Sequence, residues 1–113
     1  MQWVNYDSEK GGQGLLPDTV HCSALGRVMV MWFNDWVCST GDYAYQQSFY
    51  LPNNRIAVGY HMGRIIQQDD NTKDAGRLYI NDASHSVFAE FTENKYGKNL
   101  SGSIVLLTSW DND

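Results

Sequence analysis

Arg27-Val28-Met29-Val30-Met31-Trp32-Phe33 is an apolar run in which both alternating sets are apolar. Val28, Val30 and Trp32 fall on one side of an extended chain, and Met29, Met31 and Phe33 on the other. The run stops at Asn34-Asp35, too soon for a buried helix. Period two with two apolar faces predicts a β-strand covered on both sides.

Outward from this stretch the same period recurs. In Ser86-Val87-Phe88-Ala89-Glu90-Phe91-Thr92-Glu93, Val87, Ala89 and Phe91 share one side, while Phe88 is the lone apolar member of the other. Ser103 to Trp110 sets Ile104 and Leu106 against Val105 and Leu107. Tyr43–Leu51, Arg55–His61 and Arg77–Asn81 are further strand candidates, and short strands near residues 3 and 20 complete about eight. Gly59 beside Gly63 predicts a bulge or a close backbone approach. Between the strands, Lys10-Gly11-Gly12-Gln13-Gly14 reads as a loop and Pro52-Asn53-Asn54 as a tight turn. Gln68–Gly76 and Asn94–Lys98 read as polar excursions. No helix-length window places apolar residues at i, i+3, i+4 and i+7. The expected fold is all-β: a single domain over residues 1–113, built as an antiparallel β-sandwich or barrel of about eight short strands.

Charge excludes several functions. Eight basic and thirteen acidic residues leave a net charge of −5, and the cations never form a run. Phosphate backbones are held by clustered cations, so nucleic acid is not an expected partner. No apolar stretch approaches the roughly 20 residues of a membrane-spanning helix, so no membrane insertion is expected. Met1–Asp7 lacks the basic start and apolar centre of a signal peptide. Two origins are therefore open: a cytoplasmically made chain, or an excised domain with Met1 added.

The chemistry-bearing residues offer no motif. Cys22 and Cys38 could form a bridge, which would contribute roughly 3 kcal/mol in the chain-entropy picture; two buried reduced thiols are the favoured alternative. His21, His61 and His85 have neither i, i+2 nor i, i+4 spacing, so no metal site and no cofactor are expected. The Asp69–Asp74 segment places Lys73 where a calcium ligand is needed, and reads as a solvated loop. Glu90 with a histidine could perform acid–base chemistry, but an edge charge that discourages sheet pairing explains it equally well. The expectation is a protein that is not an enzyme, with a small hydrolase using Glu90 and a histidine as the remote alternative.

Aromatic residues carry the functional signal. Trp32, Phe33 and Phe91 lie in apolar runs and are expected in the core. Trp36 and Tyr43 stand among Asn34, Asp35, Thr40, Gly41 and Asp42, around what reads as one loop. A flat ring beside acid or amide groups can hold a sugar, and aromatic rings also anchor protein interfaces. Asp35, Trp36, Asp42, Tyr43 and Tyr96 are the candidate ligand-binding residues.

The order of segments is suggestive in its own right. Gly26–Trp32 is followed by Phe49-Tyr50-Leu51-Pro52, Ile56–Tyr60, His85–Ala89 and Ser103–Leu107. Over residues 26–110 this resembles the C-terminal β domain of phage tail fibres and related contractile-particle fibres. The family's Gln-Trp-Gly is here Met31-Trp32-Phe33, and its His-x-His iron motif is absent, so no metal carries over. The resemblance implies a homo-oligomer, a trimer at a fibre tip, located on a virion or outside the cell, with loops contacting a cell-surface glycan or protein receptor. The leading expectation is a non-catalytic, lectin-like or receptor-binding module. The alternative is a structural assembly protein of a virion or secretion particle.

Overall fold

The structure, a computed structural model, describes residues 3–8, 20–38, 46–69 and 73–110. All of its regular elements are strands: β1 (Val4–Ser8), β2 (Val20–Leu25), β3 (Val28–Val37), β4 (Gln46–Tyr50), β5 (Arg55–Ala57), β6 (His61–Gln67), β7 (Lys73–Ile80), β8 (Ser86–Phe91) and β9 (Asn99–Trp110). They form one antiparallel sheet in the order β1-β2-β3-β9-β6-β7-β8-β4, curled into a half-barrel. The chain is thus all-β, as the patterning predicts.

β9 is the spine. Its length lets it pair with β3 along one edge, while β6 and then β5 share the other. Alternation along the central strands buries one face: Met29, Met31 and Phe33 of β3, Leu100, Ile104 and Leu106 of β9, Ile65 of β6, Leu78 and Ile80 of β7, and Val87, Ala89 and Phe91 of β8. Each large side chain removed from water in this way contributes about 1.5–3 kcal/mol. The Phe33 ring lies over Gly102, its partner across the β3–β9 ladder.

Several sequence expectations need correction. Only one face of β3 is covered by the sheet's own interior; Val28 is exposed, and Val30 and Trp32 are half-buried. The strand expected over Arg55–His61 is two strands, because the chain turns at Gly59, whose φ is 83°. β7 begins at Lys73, inside the expected polar excursion. The Pro52–Asn54 turn is present, with Asn53 and Asn54 at φ 61° and 56°. The Lys10–Gly14 segment lies outside the described residues. Cys22 and Cys38 are buried and not bridged to each other, and burial pushes the Cys22 thiol up to about 12.

Candidate functional site

A bulge in β3 positions everything that follows. Phe33 pairs with Gly102, but the next pair is Trp36 with Leu100, so Asn34 and Asp35 together face Ser101. Asp35 takes the left-handed conformation (φ 54°), which aspartate tolerates better than most residues. Its N–H donates to Ser101 Oγ at 3.1 Å, and the Ser101 hydroxyl in turn donates to Gln68 Oε1.

An extra residue reverses the phase of every side chain beyond it. Without the bulge, Phe33 pointing inward would put Trp36 outward. With it, Trp36 turns to the core side, edge-on to Phe33 at 6.1 Å between centroids and stacked on Phe91 at 6.5 Å. Trp36 is therefore a core-packing residue within a strand, not a ring on a loop. Trp32, expected inside, instead stands half-buried on the outer face, its ring 5.6 Å from that of His21. The bulge thus changes the side of Trp36 alone; Trp32 precedes it and stands outward by simple alternation from Phe33.

Of the other candidates, Asp35 is exposed at the bulge and receives an Asn99 Nδ2 contact at 3.4 Å. Asn99 also donates its N–H to both carboxylate oxygens of Asp69 at 3.0 Å. Tyr96 is 68% exposed, on a turn closed by its own N–H to Asn94 Oδ1. That turn is fixed from below: buried Lys95 donates from Nζ to Gln67 Oε1 at 3.0 Å and to Glu93 Oε1 at 2.9 Å. The Lys95 ammonium holds the exposed Glu93 carboxyl below its ordinary range. Backbone bonds between Cys38 and both Gly97 and Lys98 place the turn beside the end of β3. Asp35, Trp36 and Tyr96 thus share one end of the sheet, but the Trp36 ring faces away from solvent-side ligands. Asp42 and Tyr43 lie outside the described residues.

The sheet's outer face holds a site that the loop reading misses. On β9, Ser101 and Ser103 share the outer parity between taller neighbours, Ser103 exposed and Ser101 buried beneath the bulge. Trp32 on β3 and Arg64 on β6 flank Ser103 in register, and Ile66 flanks Ser101, with the bulged Asn34 opposite. Short side chains on the middle strand between long ones leave a cleft of about 270 Å³, lined by Trp32, Asn34, Arg64, Ile66 and the Ser101–Ser103 segment. The sequence signal is the Ser101-Gly102-Ser103 segment directly before the apolar run Ile104–Leu107.

Beside it lies a second cleft of about 350 Å³ where Arg64 pairs with Asp74 and Arg77 with Glu90. Arg77 also lies over the Tyr79 ring. Glu90, the residue a hydrolase would use, gives its Oε1 to Arg77 Nε at 3.0 Å. Further along β9 the outer face becomes apolar: Val105 is 59% exposed and Leu107 41%. Met62 and Tyr60 are similarly open, and Tyr60, Tyr79 and Phe88 form a stacked ladder. Among the described residues no group of three His, Cys, Asp or Glu side chains could hold a metal ion. Among the described residues there is also no helix long and apolar enough to cross a membrane.

No family model, curated protein or solved structure matches the chain.

Proposed function

We propose that the chain is a non-catalytic binding module that recognises a cell-surface glycan or protein receptor through the outer face of its half-barrel. The observation that carries this is the cleft lined by Trp32, Asn34, Arg64 and the Ser101–Ser103 segment, with the exposed Ser103 in register between Trp32 and Arg64. A few directed polar groups around an apolar wall are the usual make-up of a recognition pocket. These residues project from paired strands of the sheet rather than from a free loop, so little order has to be imposed when a ligand binds.

A panel of immobilised cell-surface glycans and glycoproteins tests this with Ser103→Trp, which fills the cleft from an exposed position. Binding is expected to fall by about tenfold or more, the scale of losing a central contact, at an unchanged melting temperature. Tyr96→Ala is expected to stay within a few-fold of the parent. If Ser103→Trp binds as the parent does while Tyr96→Ala fails, recognition belongs to the turn and the outer-face assignment is wrong.

A second reading, structural assembly into a homo-oligomer, draws support from the other half of the same face. Val105, Leu107, Met62, Tyr60 and Val28 are all exposed there, and contiguous exposed apolar surface commonly marks a protein contact. The resemblance to fibre tips favours a trimer, which would place the module on a virion or outside the cell.

A further inference from the structure

The polar cleft has a composition that narrows its ligand. Among the described residues lining it, Arg64 is the one ionic group, in a chain whose net charge is −5. Among the described residues Arg64 is held by Asp74, whose Oδ1 accepts from its Nε at 3.1 Å. Both partners are about 70% exposed, at 71% and 69%. Such an exposed pair is worth little and exchanges readily for another anion, and a guanidinium binds carboxylate and sulfate oxygens with directed hydrogen bonds.

The geometry separates a sugar from a peptide. Trp32 and Arg64 sit in register on either side of Ser103, so their backbones stand two strand spacings, about 10 Å, apart. A volume near 270 Å³ lies below the roughly 300–1,000 Å³ that encloses drug-sized ligands, and suits one ring with its substituents. An acidic peptide binding by strand addition needs an open sheet edge. The cleft lies over β3, β9 and β6, inside the strand order, where both edges of β9 are already paired. A saccharide needs no backbone partner, only a flat apolar wall and hydroxyl-matching groups.

Resting on the assignment of this cleft as the recognition site, we infer that it takes an acidic saccharide: one sugar ring against the Trp32 indole, its hydroxyls on Asn34 and Ser103, and its carboxylate or sulfate on Arg64 in exchange for Asp74.

Calorimetric titration of the full chain with matched probes tests this: sialyllactose against lactose, and a hyaluronan tetrasaccharide against chitotetraose. At least one acidic probe is expected to bind about tenfold more tightly than its neutral partner, the scale of one charge-assisted hydrogen bond. Arg64→Gln is expected to bring the pair level without lowering the melting temperature. Asp74→Asn, which removes the competing carboxylate, is expected to strengthen acidic binding alone, and added salt to weaken it. Equal affinity for acidic and neutral probes would overturn the inference and leave a glycan-binding module standing. If no saccharide binds while a protein receptor is still lost on Ser103→Trp, the ligand class is wrong and the recognition face is right.

Discussion

Asp35 is a surface residue whose backbone, rather than its carboxylate, has the larger effect on the molecule. Its left-handed turn inserts the additional residue opposite Ser101, and the phase change rotates Trp36 onto Phe33 and Phe91. The sequence places Trp32 in the core, because both faces of its run are apolar, and Trp36 on a loop; the structure reverses both readings. Alternation is blind to a single inserted residue, and the polar Asn34-Asp35 pair that signals the bulge also signals a loop. The energetic consequence is asymmetric. Trp36→Ala opens a cavity against the core and is expected to cost about 2–4 kcal/mol, whereas Trp32→Ala removes a ring from an open face and should cost about 1 kcal/mol. Urea unfolding of the two variants side by side checks this; a larger loss for Trp32→Ala would show the ring assignment to be inverted.

Strands β3, β8 and β9 are legible because runs of their inward positions are apolar: Met29, Met31 and Phe33, Val87, Ala89 and Phe91, and Ile104 and Leu106. β6 is not, for two physical reasons. Its inward Gln67 is buried because Lys95 Nζ bonds to it, a polar pair that hydropathy cannot anticipate. Its Gly63 is dictated by a neighbour: a Cβ there would sit 1.9 Å from the Ser103 carbonyl oxygen. The Gly59 and Gly63 pair signals a close backbone approach, and the approach is that of Gly63 to β9, beside the cleft of the two arginine ion pairs. Gly63→Ala must push β6 from the spine strand, with an expected loss of about 1–3 kcal/mol as in other overpacked interiors. Thermal unfolding would register this as a drop of several degrees; an unaltered midpoint would mean that the two strands stand further apart than described.

Across the whole molecule, the all-β class follows from the patterning, whereas the working surface does not. Two apolar sides on Val28–Phe33 imply two covered faces, and the sheet covers one. Composition reports that a face is apolar but not whether its cover comes from the same chain. The open side is divided along β9, a hydroxyl at Ser103 and aliphatic groups at Val105 and Leu107. One sheet face therefore offers both a polar cleft for a sugar and an apolar surface for a protein.

All of this depends on which tryptophan faces outward, and proton–proton Overhauser contacts of the two indoles read that directly. Trp36 indole protons should contact the Phe33 and Phe91 rings, and those of Trp32 the His21 ring. Contacts from Trp32 to the Ile104 and Leu106 methyls, with Trp36 touching Ser101 instead of Phe91, would contradict the bulge, the cleft and the recognition face together.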